Sequence, residues 1–271
     1  MNAPRQPIRS YVLRGGRITR AQRRALDELL PRLGIPYAAA PLDLDRAFGR
    51  HAPRALEIGV GNGDMLVALA AAAPGKDFIG IEVHPPGVGH CLLAADAAGL
   101  ANVRVIAHDA VEVMASMIPP ASLDEVLLYF PDPWPKKRHH KRRIVQPDFA
   151  ALVASRLKPG GLFKLATDWE PYAAWMLEVL NASPDLRNVA RDGGCVDRPE
   201  RAATRFEHRG RRLGHSVFDL GLWFLLQAQA VADILAHAHV REEAIALEHG
   251  VGRPLFRPDA RHVAAVDLDR A

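Results

Sequence analysis

Only two cysteines, Cys91 and Cys195, occur in the 271 residues. Far apart in sequence, they form neither a disulfide framework nor a zinc cluster, so a reducing cytoplasm is the expected compartment and no metal is expected. No uncharged apolar run approaches the roughly 18 residues that span a bilayer, which excludes a membrane-spanning segment. Arg5 and Arg9 are followed by no apolar stretch, so no secretory signal is expected. Internal repeats are absent. With 49% hydrophobic and 24% charged residues the chain is neither disordered, collagen-like nor a coiled-coil rod.

The net charge is only +4, but the bases are clustered. Arg5, Arg9, Arg14, Arg17, Arg20, Arg23, Arg24 and Arg32 lie in the first 32 residues, opposed only by Asp27 and Glu28. Residues 1–50 read as a basic arm and linker, with one short helix from Thr19, its cap, to about Leu30 before Pro31. Residues 51–225 read as one domain. Apolar strands are expected at Arg54 to Gly59, Asp77 to Val83, Asn102 to Ala107, Asp124 to Phe130 and Leu162 to Thr167. Helices are expected at Asp64 to Ala73, Gly87 to Gly99, Pro147 to Leu157 and Pro171 to about Leu180. A late strand follows at His215 to Phe224. This alternation implies an α/β fold, a doubly wound, mostly parallel sheet with helices on both faces. Its ligands sit at the carboxyl ends of the strands. Residues 226–271 are rich in Ala and His, with one helix expected up to about Leu247, and match nothing that precedes them.

The first strand ends in Glu57-Ile58-Gly59-Val60-Gly61-Asn62-Gly63. Three glycines let the backbone turn sharply and approach a ligand. A dinucleotide fingerprint requires G-x-G-x-x-G, and Asp64 occupies its third glycine position, so a nicotinamide site is disfavoured. Glu82 closes the second strand, where a carboxylate can accept from ribose hydroxyls. Asp109 follows the third strand, either as a helix cap or as a further ligand contact. Glu57, Glu82 and Asp109 thus stand at three successive strand ends, in register with the glycines.

Phe130-Pro131-Asp132-Pro133-Trp134-Pro135 follows the fourth strand. Its prolines stiffen the backbone and hold Asp132 and Trp134 at the sheet edge. A carboxylate there can accept from a guanine Watson–Crick edge, and an indole can stack on an extruded base; the plainer alternative is a rigid loop with a structural Trp. Directly after come Lys136-Lys137-Arg138-His139-His140-Lys141-Arg142-Arg143, six cations among eight residues with no acid. With the basic arm and the stretch Arg198 to Arg212, this run is the footprint of a phosphate-backbone partner.

These segments together resemble the tRNA (guanine-N7-)-methyltransferase family, a group of S-adenosylmethionine-dependent class I methyltransferases with a Rossmann-like fold. The E-x-G-x-G-x-G turn resembles the class's first motif. Residues 130–143 resemble the family signature nearly throughout. Ile81-Glu82-Val83-His84 with Pro86-Gly87-Val88-Gly89, Ala166-Thr167-Asp168-Trp169-Glu170 and Thr204-Arg205-Phe206-Glu207-His208-Arg209-Gly210 resemble three further blocks, and Arg9-Ser10-Tyr11-Val12 with Gly16-Arg17 resembles the family's N-terminal segment. The resemblance implies methylation of guanine N7 in tRNA, at guanosine 46 of the variable loop. It implies that Glu57, Gly59, Gly61, Gly63, Glu82, Asp109 and Asp132 hold S-adenosylmethionine, with Asp132 the catalytic candidate. Lys136, Asp168, Thr204, Arg205, Phe206 and Glu207 would contact the guanosine. Arg138, His139, His140, Lys141, Arg142 and Arg143 would contact RNA. Pro85 and Pro135 depart from the pattern, as does the chain beyond Leu220. Monomer and homodimer both remain open. An exocyclic-amine methyltransferase and a non-catalytic RNA-binding protein on the same fold are the alternatives.

Overall fold

In a computed structural model the described residues are 8–13, 17–197, 207, 212, 214 and 216–225. Chain packing separates Met1–Leu225 from Leu226–Ala271; the second unit lies outside the described residues, as does the helix expected there.

Seven strands build one sheet: β1 (Arg54–Ile58), β2 (Asp77–Ile81), β3 (Val103–Ile106), β4 (Leu123–Tyr129), β5 (Leu157–Thr167), β6 (Leu186–Asn188) and β7 (Phe218–Phe224). Their order is β3-β2-β1-β4-β5-β7-β6. The first five strands run parallel, and β7 runs antiparallel to both β5 and β6. Every residue of β1 and β2 is buried, as a sheet covered on both faces requires. Along β1 the side chains alternate between two cores. Ala55 joins Leu66, Phe78, Leu92 and Val105 on one face. Leu56 and Ile58 join Ile79, Met114, Phe149, Phe163 and Tyr172 on the other.

The helices are α1 (Arg20–Glu28), α2 (Leu30–Leu33), α3 (Leu44–Phe48), α4 (Asp64–Ala72), α5 (Pro85–Ala97), α6 (Ala110–Ser116), α7 (Pro147–Arg156) and α8 (Glu170–Asn181). Thr19 caps α1 as expected, in a reciprocal capping box with Gln22. The segment read as an arm is nonetheless part of the packed layers from α1 onward. Ala25, Leu29 and Leu33 are buried in the first core, and α1 lies against α5 so closely that a Cβ at Gly89 would meet the Gln22 carbonyl at 2.7 Å. Charge on the exposed face of α1 hides this apolar stripe from a composition-based reading. Likewise α3, in the expected linker, buries Leu44.

Lys158-Pro159-Gly160-Gly161 reads as a helix stop, yet β5 already begins at Leu157. Leu123 pairs with Leu157 and Glu125 with Leu162, so the four residues form an irregularity in the strand, with Gly160 at φ +75°. The order reverses at β1, which has β2 on one side and β4 on the other. This switch opens a crevice at the carboxyl ends of β1 and β4, where open α/β sheets bind ligands.

Candidate active site

The glycine turn forms one wall of that crevice. Gly59, Gly61 and Gly63 have φ of +72°, +56° and +82°, a region that side chains with a Cβ enter only under strain. A Cβ at Gly59 or Gly61 would meet nothing within 4 Å, so on that side the backbone faces open space. Behind the turn the packing is tight: a Cβ at Gly87, in the first turn of α5, would lie 2.6 Å from the Gly61 carbonyl oxygen. Gly87→Ala must push two backbones apart. The expected result is a loss of about 1–3 kcal/mol in stability together with weakened cofactor binding, read by thermal melts with and without cofactor. Melts matching the parent would remove this explanation of the Pro86-Gly87 block.

A cavity of about 290 Å³ opens over the turn. Its walls include Gly59, Gly61, Ile81, Glu82, Leu128, Phe130 and Asp132. Glu82 is buried, and three backbone donors hold its carboxylate. Gly61 N–H donates to one oxygen at 2.8 Å, and Val83 and His84 N–H donate to the other at 2.7 and 2.9 Å. It therefore fixes the shape of the glycine turn, with acceptor capacity left for a hydroxyl.

Glu57 is only 4% exposed and lies behind the turn, outside the cavity lining. Its Oε2 has no hydrogen-bond partner. Burial, reinforced by the charge of Glu82, pushes its pKa up to about 8, so it is largely protonated at neutral pH. Asp109 caps α6, accepting from Val111 N–H at 2.8 Å. Its neighbours His108 and Ala110, rather than Asp109, line the cavity.

A second cavity, of about 480 Å³, is walled by Val12, His84, Asp132, Trp134, Lys136 and His139. The two cavities share Asp132 and His84. Asp132 is exposed at their junction, set there by β4, whose last residue precedes Phe130 at φ +51°. Phe130 N–H donates to the Ala166 carbonyl at 2.7 Å, which ties the loop to the end of β5. Asp168, partly buried, follows β5 at the same sheet edge. Glu207 is fully buried. Thr204, Arg205 and Phe206 lie outside the described residues.

Trp134 serves a structural role. Its Nε1–H donates to the Ser10 carbonyl at 3.0 Å. The ring stacks with His139 at 5.6 Å between centroids and carries the Arg142 guanidinium 5.0 Å from its centroid. These contacts fit the rigid-loop alternative, and the ring also lines the second cavity.

The basic run forms a 3₁₀ turn, Lys137–Arg142, that faces two ways. Lys136, Lys137, Arg138 and Lys141 are exposed. Burial and the surrounding cations lower the His139 pKa. His140 keeps its Nε2 buried. Arg143, expected from the sequence to contact RNA, is 4% exposed, and its Nε–H donates to the Pro133 carbonyl at 2.9 Å.

Sequence reasoning missed His84 and the segment Ser10 to Val12. Placing ligands at strand ends, the rule that selected Glu82, would have found His84, two residues further on. Nothing local marks Ser10, Tyr11 and Val12 as lining residues; only the tertiary fold lays them over the two cavities.

The strand order with its antiparallel β7, the glycine turn locked by Glu82 and the paired cavities meeting at Asp132 define a Rossmann-like class I methyltransferase domain. A methyltransferase family model, described as "Putative methyltransferase", matches residues 51–220. A tRNA (guanine-N(7)-)-methyltransferase of Pseudomonas fluorescens is 58% identical over 214 residues, 79% of this chain and 89% of that protein. One of Aromatoleum aromaticum is 60% identical over 215 residues, 79% of this chain and 82% of that protein. Among solved structures, the 16S rRNA methyltransferase KamB aligns with a TM-score of 0.46 at 16% identity, over 68% of this chain and 93% of that one. The chain belongs to the tRNA (guanine-N7-)-methyltransferase family.

Proposed function

We propose that this protein methylates N7 of a guanosine in tRNA, with S-adenosylmethionine as methyl donor and guanosine 46 of the variable loop as target. The carrying observation is that two cavities meet at one carboxylate, Asp132. One cavity has the glycine turn and the buried Glu82, suited to a nucleoside cofactor. The other opens beside exposed cations suited to RNA. The names of the relatives support the base, the atom and the RNA class; the position in the loop rests on the resemblance.

The residues present fit the cofactor. The open side of Gly59 and Gly61 leaves room for a ligand. Apolar Ile81, Val83, Leu128 and Phe130 suit an adenine, and Glu82 has acceptor capacity for ribose. When bound, S-adenosylmethionine supplies a methyl group activated on a sulfonium.

The chain's own residues position and stabilise. Guanine N7 carries an exposed lone pair and is unprotonated near neutral pH, so no general base is required. Aligning N7 with the methyl carbon and the departing sulfur is a proximity effect worth up to roughly 7–11 kcal/mol. Accepting the methyl group would leave guanine N7 cationic. Asp132, and Asp168 at the neighbouring strand end, offset that charge. A carboxylate accepting from the guanine ring N–H and exocyclic amine also rejects adenine, which cannot match it.

The test is methyl incorporation from labelled S-adenosylmethionine into unmodified tRNA, followed by chemical cleavage at 7-methylguanosine. A single cleavage in the variable loop supports reaction, substrate and position together. Cleavage elsewhere overturns the position, and label on an exocyclic amine overturns the reaction. The exposed cations have their own test. Neutralising Arg138 and Lys141 is expected to reduce the salt slope of tRNA binding by roughly one unit for each phosphate that no longer meets a cation. A filter-binding slope equal to the parent's would remove the run from the interface.

A further inference from the structure

We propose that Arg143 is a positioning residue for Asp132, not an RNA contact; the inference rests on the methyltransferase reading above. Arg143 ends the cationic run, and by sequence alone it is one more phosphate ligand. The 3₁₀ turn stops at Arg142, and Arg143 leaves it at φ −56°, ψ 129°, which carries its side chain inward. There its Nε–H donates to the Pro133 carbonyl at 2.9 Å, the residue directly after Asp132. The guanidinium carbon lies 4.8 Å from the centroid of the Tyr172 ring on α8. Tyr172 is fully buried, and its hydroxyl accepts from Val145 N–H at 3.4 Å. Trp175, one turn further along α8, donates its Nε1–H to the Val145 carbonyl at 2.8 Å.

The loop needs such an anchor. Pro131 and Pro133 flank Asp132 and have no N–H, so they cannot tie the backbone down by donating. The chain also turns through φ +43° at Trp134. The Pro133 carbonyl lies one residue beyond Asp132, and Arg143 connects it to the core through Tyr172 of α8. The task requires a planar guanidinium, which can donate along its edge while its face lies on an aromatic ring. An ammonium has no such face. Burial also lowers the Arg143 pKa.

The experiment uses the full chain and compares Arg143→Lys and Arg143→Met with Arg138→Ala as a surface control. Tight tRNA binding through charge alone tolerates lysine, whereas positioning does not. The expected result for Arg143→Lys is a single-turnover rate lower by roughly 10–100-fold, with cofactor affinity, tRNA affinity and salt slope unchanged. Arg138→Ala should lower the salt slope that Arg143→Lys leaves unchanged. In an Asp132→Ala background, Arg143→Lys should add no further loss, the non-additivity of two residues acting through one group. A merely structural role would give additive losses and would overturn the proposal. So would a parent-like rate in Arg143→Lys, or a reduced salt slope in Arg143→Met. If Arg143→Met fails to melt cooperatively, Arg143→Lys decides alone. Absence of methyl transfer by the unsubstituted protein would overturn the activity reading, and the salt slopes would then still decide whether Arg143 meets phosphate.

Discussion

Replacing Asp132 with alanine lowers methyl-transfer turnover by about 10²–10³, the loss typical of removing one preorganised group that faces developing charge. The loss falls on the chemical step because of where the carboxylate stands. It lines the cofactor cavity and the base cavity at once, yet the cofactor cavity keeps its glycine turn and its Glu82 lock without it. Cofactor affinity is therefore expected to stay within a few-fold of the parent, while the single-turnover rate collapses. Asp132→Asn separates two contributions. An amide keeps the shape and one acceptor but loses the charge, so it should recover base binding and not turnover. Calorimetry with the cofactor and single-turnover kinetics with tRNA measure the two quantities independently. A substituted enzyme that turns over at the parent rate would remove Asp132 from the reaction.

Without cofactor, Glu57 is expected to make the protein lose stability as pH rises from about 5 to 9. Its folded-state pKa of about 8 stands above the ordinary 4.5. Between those values the folded chain holds a proton that the unfolded chain has released. The contribution is therefore complete below pH 4.5 and is lost as pH climbs through 8, amounting to a few kcal/mol at order of magnitude. Two causes act in the same direction: burial behind the glycine turn, then the neighbouring Glu82 charge. Glu57→Gln removes the ionisation and should flatten the dependence across pH 6–9, in urea titrations at fixed pH steps. Parallel curves for Glu57→Gln and the parent would assign the pH dependence elsewhere.

The element order and the location of the chemistry are legible in the chain without its fold. Continuous apolar runs specify the buried parallel strands, because strands covered on both faces have no polar side to alternate with. Glycines at 59, 61 and 63 and acids at strand ends mark the crevice, because positive φ and close ligand approach leave a compositional trace. The short α6 leaves only its Asp109 cap, and β6 leaves no trace, being three residues at a sheet edge. Which members of a uniform cationic run face solvent depends on packing between distant segments. Arg138 and Arg143 are the same residue type five positions apart, and only the end of a 3₁₀ turn sends one outward and the other onto Tyr172. Packing also makes Trp134 hold the N-terminal segment, and places α1 in the core rather than on a free arm. Local sequence reports periodicity, capping and backbone strain. It does not report which surface a side chain finds once distant segments pack, and in this protein that surface separates the exposed Arg138 from the buried Arg143.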